Sequence, residues 1–151
     1  MFRRTTKLVL ILAVAVLAAA QFFQPKRTNP TADPKDSFEA VVQPPAEVAS
    51  ILNRSCRDCH SNQTVWPWYS HVTPVSWLVA QDVQEGRRRL NLSEWRRREQ
   101  EQPGLRLSEI CEQVRRGEMP LWYYLTLHPA AKLNETEVST ICAQAPERRV
   151  D

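Results

Sequence analysis

The chain opens on an apolar run with no periodicity. Leu8 to Ala20 is uncharged throughout, follows the cations Arg3, Arg4 and Lys7, and is prolonged past Gln21 by Phe22 and Phe23. Cations ahead of an apolar stretch make an export signal, with two possible fates. The small residues Ala18-Ala19-Ala20 offer a cleavage site. Against cleavage, the sixteen residues from Leu8 to Phe23 approach the lower limit of roughly 17 for a spanning helix. The reading favours retention: residues 1–23 anchor the chain in the cytoplasmic membrane, with the cations inside and the remainder in the periplasm or outside. The alternative is a cleaved signal and a soluble periplasmic domain.

Residues 24–45 lack helical spacing, are rich in Pro, Thr, Asp and Lys, and read as an extended linker. Helical rhythm begins near Ala46, where Val48, Ile51, Leu52 and Ser55 share one face of a helix running into Cys56. Residues 61–73 then read as an aromatic loop around Trp66, Trp68 and Tyr69. A second helix is expected from Pro74 to about Gly86, burying Val75, Leu78, Val79 and Val83. Ser93-Glu94-Trp95 opens a mostly polar helix ended by Pro103-Gly104. The clearest pattern spans Leu107 to Arg116, with Leu107, Ile110, Cys111 and Val114 in register and Gly117 as a left-handed cap. Past an aromatic stretch, Asn134 and Glu137 have the spacing of a capping box for a last helix carrying Val138, Ile141 and Cys142. The sum is a small all-α domain over residues 46–145, followed by a short tail, 146–151.

Eleven prolines against three glycines support short helices punctuated by turns over a glycine-rich nucleotide fold. The net charge of +3 comes from 20 basic and 17 acidic residues, and it resides wholly in Arg3, Arg4 and Lys7, since 17 of each sign remain from Leu8 onward. A balanced remainder supplies no basic field for nucleic acid, which is excluded as a partner. The arginine runs at 87–89 and 96–98 read as solvated helix faces, with propionate neutralisation or steering of an acidic partner as the alternative.

The chemistry concentrates at Cys56-Arg57-Asp58-Cys59-His60, the attachment pattern of c-type haem. Two thiols at this spacing reach the two vinyl groups of one haem, and the next residue delivers an imidazole to the iron. A thioredoxin-like pair would sit in a βαβ context that the proline-punctuated helices do not provide. A zinc site would need two further ligands, and no second closely spaced pair completes the set. For the sixth iron position, Met119 is the favoured ligand: it is the only methionine besides Met1 and stands on a loop past a helix. His71 and His128 are rivals, and an open position is a further alternative. Trp66, Trp68, Tyr69, Trp77, Trp122, Tyr123 and Tyr124 are expected to line a haem crevice. Cys111 and Cys142, on the apolar faces of two helices in an oxidising compartment, are a candidate disulfide.

The text around these residues resembles the bacterial haem-binding domain family, whose members carry one CxxCH and an N-terminal membrane segment. The likeness rests on Arg27-Thr28-Asn29-Pro30, on Ser55 to Asn62 around the motif, on Trp66-Pro67-Trp68-Tyr69 and on Pro74-Val75-Ser76-Trp77. It continues through Gly117-Glu118-Met119-Pro120, Trp122-Tyr123-Tyr124 and Leu127-His128-Pro129. The resemblance implies haem c on Cys56, Cys59 and His60, with Met119 placed as distal ligand. The expectation is a cytochrome c-like helical domain around one covalent haem that carries single electrons to a redox partner protein, a non-enzymatic carrier being favoured over an enzyme without the question being closed. A haem-based sensor or peroxidase with an exchangeable sixth ligand, and a non-haem tethered structural module, are the alternatives.

Overall fold

The computed structural model of the chain describes residues 2–96 and 105–145. Regular structure among them is entirely helical: α1 (Phe2–Ala20), α2 (Phe38–Val42), α3 (Ala46–Ser55), α4 (Arg57–His60), α5 (Val75–Arg89), α6 (Leu105–Arg115), α7 (Trp122–Leu127) and α8 (Glu135–Cys142). Short 3₁₀ turns lie at Pro34–Asp36, Trp68–His71, Leu92–Glu94 and Pro129–Ala131. The all-α class expected from the periodicities holds for these residues. The thirteen uncharged residues of α1, Leu8 to Ala20, rise about 20 Å. That is less than the ~30 Å of bilayer hydrocarbon, and no helix among the described residues is long and apolar enough to cross a membrane.

The core is built where the apolar rhythm of α3 (Val48, Ile51, Leu52) meets that of α6 (Ile110, Cys111, Val114) and α8 (Ile141, Cys142). Cys111 and Cys142 are joined by a disulfide between α6 and α8. Asn134 and Glu137 complete the capping box of α8, and Glu137 reaches Arg54 of α3 at 2.7 Å. Two large rings close this core from elements with no legible periodicity. Phe38 and Trp95 are buried and meet edge to face, with centroids 4.8 Å apart.

Phe38 corrects the expectation of an extended linker over 24–45. Ser37 caps α2 by accepting from the Ala40 amide, and α2 drives Phe38 into the core, so packing starts upstream of Ala46. Trp95 follows a 3₁₀ turn capped by Asn91 and, with Arg96, stands at the helical start of the helix expected there, with its own ring buried in the core; the rest of that helix and its expected end at Pro103-Gly104 lie outside the described residues.

The second helix also differs from its expectation. It runs on to Arg89, because Gly86 is an interior packing residue and not a terminator. A Cβ on Gly86 would stand 2.5 Å from the Cys59 carbonyl oxygen, so only glycine lets α4 lie so close on α5. The buried side of α5 is made of Ser76, Ala80, Val83 and Gly86. Of the four residues expected inside, Val83 alone is buried, whereas Val75 and Leu78 are exposed and Val79 is partly so. Arg87 is a clasp, not part of a solvated face. Its guanidinium donates to the carbonyls of Ser61 and Thr28, to Asn29 Oδ1 and to Thr64 Oγ1, all within 2.8 Å.

Candidate functional site

Cys56 stands at the junction of α3 and α4, and α4 is a single turn carrying Cys59 and His60. The close approach allowed by Gly86 holds that turn against α5. His60 Nδ1 lies 3.0 Å from the Gly86 carbonyl and 3.1 Å from the Leu90 carbonyl, both at the C-terminal end of α5. Carbonyls only accept, so Nδ1 carries the proton and Nε2 keeps its lone pair. Burial lowers the imidazole pKa, with the two carbonyls opposing, and the ring is neutral at pH 7. This is the tautomer and charge state of a metal-ligating histidine with its outer-shell partner in place.

Burial pushes both thiols up to about 12, with Cys59 adding to the effect at Cys56, and Asp82 and Asp58 adding to it at Cys59. Neither is in a disulfide. Protonated thiols are the opposite of the activated thiolate that a thioredoxin-like pair requires. Among the described residues there is also no group of three or more His, Cys, Asp or Glu side chains able to hold a metal ion.

Cys56, Cys59 and His60 line one wall of a cavity of about 990 Å³, at the upper end of the range for cofactor sites. Val75, Leu78 and Val79 of α5 form a second wall, and Ile110 and Val114 of α6 contribute to a third. Met119 lines the same cavity, some sixty residues from the thiols in sequence. Its loop is set by the end of α6. Gly117 takes a left-handed φ of 68°, and the amides of Gly117 and Glu118 return to the carbonyls of Val114 and Gln113 as in a Schellman motif.

The aromatic residues divide. Of the seven expected to line the crevice, Tyr69, Tyr123 and Tyr124 do so, whereas Trp66 does not, and Trp68, Trp77 and Trp122 are exposed and outside the cavity wall. Each tyrosine hydroxyl has a partner. Tyr69 meets His128 Nε2 at 2.6 Å, Tyr123 donates to Asp82 and Tyr124 to Asp58. The His128 ring also stacks on Tyr124, with centroids 4.2 Å apart, so this rival ligand is already bound up in a polar network. His71, the other rival, is exposed and outside the cavity wall.

Two wall residues escape sequence reasoning. Arg106, in the first turn of α6, is buried and donates to the Arg89 carbonyl. Asp82, on α5, carries a carboxyl held above its usual range by burial, against the Tyr123 hydrogen bond. Both interrupt an apolar face, and only the fold reveals that the face borders a cavity.

The sequence profile of the haem-binding domain family matches residues 15–146. The chain belongs to that family. No match is found among curated proteins or among solved structures. The walls of this haem-binding domain fit the group its family takes: a large apolar slot, two neutral thiols at its edge and a neutral imidazole with a free Nε2. Bound there, haem supplies an iron centre that changes oxidation state by one electron. His60, Met119 and His128 are wall residues with nitrogen or thioether atoms able to ligate that iron, His128 being already engaged by Tyr69 and Tyr124, and Cys56 and Cys59 are those able to hold the macrocycle.

Proposed function

We propose that this haem-binding domain carries a single haem c and transfers electrons one at a time to a redox partner protein at the outer face of the cytoplasmic membrane. Cys56 and Cys59 each add S–H across a vinyl group to form thioethers. His60 Nε2 is the proximal ligand and Met119 Sδ the distal one, in a cytochrome c-like arrangement. The observation that supports this reading is the convergence of the CxxCH turn and Met119 on one apolar cavity, with His60 Nδ1 occupied by two carbonyls. The apolar walls exclude water from the cofactor, and the thioether favours the reduced state relative to nitrogen ligation. Residues 1–23 are retained as the anchor, and the bridge between Cys111 and Cys142 suits an oxidising compartment.

The test is a haem-peroxidase stain of a denaturing gel, with an absorption spectrum, on protein exported by a host that matures c-type cytochromes. Colour should survive denaturation and weaken in Cys56→Ala and Cys59→Ala. A folded protein without haem refutes the reading. Met119→Ala should change both spectrum and reduction potential; an unchanged resting spectrum would instead favour a sensor or peroxidase with an exchangeable sixth position.

A further inference from the structure

On top of the retained anchor proposed above, we infer that the domain does not swing on a tether but rests directly on the lipid surface, through an apolar patch made by Phe22, Phe23, Val72, Trp77 and Leu78.

The junction between α1 and the domain is a clamp. The Thr73 amide donates to Gln21 Oε1 at 3.1 Å, and Gln21 Nε2 returns to the Thr73 carbonyl at 3.3 Å. Gln24 Nε2 donates to Thr73 Oγ1 at 2.7 Å, and the Trp77 indole N–H donates to the Phe23 carbonyl at 2.8 Å. Thr73 and Trp77 flank the start of α5, so the end of the apolar segment is fastened to the helix that forms a wall of the cavity.

At this junction the apolar side chains face outward. Phe22 is 88% exposed, Phe23 74%, Leu78 46%, Trp77 45% and Val72 44%. A cluster of exposed aromatic and aliphatic side chains beside an apolar helix marks a binding surface. Its composition suits a bilayer interface, where an indole buries its ring at headgroup level. Lys26, exposed and just past Phe23 in sequence, provides a cation for anionic headgroups, while Arg27 ties the same segment to the domain through the Ser70 carbonyl.

Length supplies the second argument. The uncharged part of α1 rises about 20 Å. A segment shorter than the hydrocarbon thickness draws its flanking residues into the interface or thins the bilayer around itself. With the junction clamped, the flank drawn in is the patch. Leu78 belongs to both the patch and the cavity wall, so the cavity is held beside the lipid surface.

The full chain labelled with 5-fluorotryptophan, in nanodiscs of phosphatidylcholine and phosphatidylglycerol, tests this by ¹⁹F line widths with and without a headgroup-proximal nitroxide lipid. The Trp77 resonance, assigned by Trp77→Phe, should broaden at least threefold more than that of buried Trp95, and Gln21→Leu should reduce that excess. Equal broadening of the two, in a chain that stays in the nanodisc after a high-salt wash, overturns the patch and leaves the anchor standing. A chain that washes out overturns both. A Trp77 line that ignores the nitroxide but shifts with the number of chains per disc assigns the face to a second copy, which also overturns the lipid contact.

Discussion

The core cluster and the cavity wall use similar apolar residues for opposite ends. On the core side, Phe38, Val48, Ile51, Trp95 and Ile141 form a closed cluster fastened by the α6–α8 disulfide. On the cavity side, Val75 and Leu78 of α5 stay exposed along a slot of about 990 Å³. The core side gains its stability when the chain folds, whereas the cavity side gains it when a ligand arrives. An apolar helix face is therefore not evidence of a core until its partner is identified. Here the partner of α5 on that face is the proposed cofactor.

This contrast sorts substitutions by which side they touch. Trp95→Ala, on the core side, should cost about 3–5 kcal/mol, read as a lowered urea midpoint in protein with or without haem. Replacing Cys111 and Cys142 together by alanine releases a loop of sequence separation 31 and should cost about 3–4 kcal/mol in the chain-entropy account, again in both forms. If either change left the stability of the haem-free protein intact, the core side would not be the independent unit described.

Gly86→Ala tests the seam between the two sides. Its Cβ meets the Cys59 carbonyl at 2.5 Å, so α4 must move, at a cost of about 1–3 kcal/mol. The Gly86 carbonyl also accepts from His60. Covalent haem yield should therefore fall along with the urea midpoint, whereas Trp95→Ala should lower the midpoint alone once the protein has matured. Leu78→Ala is the converse. Leu78 is nearly half exposed, so its loss should cost the haem-free protein under about 1 kcal/mol. It should still lower the thermal midpoint of the haem-bound form by a clear margin.

What was legible in the sequence follows the same division. Val48, Ile51 and Leu52, or Ile110, Cys111 and Val114, repeat at helical spacing because one whole face meets one partner; Asn134 and Glu137 form a motif that is local by nature. The cysteines and His60 are legible because haem attachment needs its residues adjacent. Phe38 was hidden in a segment of linker composition, since one buried ring leaves no period. The packed side of α5 was hidden too: Ser76, Ala80 and Gly86 are there for close approach and carry no hydrophobic signal, while Val75, Leu78 and Val79 carry a strong one toward a slot. The clasp made by Arg87 is invisible for a different reason. Its partners are mostly backbone carbonyls and small hydroxyl or amide groups from distant segments.

The smallest effect expected is also on the core side and depends on pH. Glu137 accepts from the Asn134 amide and from Arg54, and these contacts, the amide first, hold its carboxyl below the ordinary range. A group whose folded pKa is depressed contributes stability that is complete above its unfolded pKa of about 4.3 and is lost as pH falls through the folded value. Glu137→Gln keeps an oxygen for the Asn134 amide but removes the charge that Arg54 pairs with. The pair is partly exposed, so at pH 7 the variant should be less stable by only about 0.5 kcal/mol. The gap should narrow as urea denaturation is repeated from pH 6 downward and close once the pH is below the depressed folded pKa, where the parent carboxylate is neutral as well. A gap with no dependence on pH would mean that shape, not charge, fastens α8 to α3. The cavity side should be indifferent throughout, because Glu137 is absent from the cavity wall.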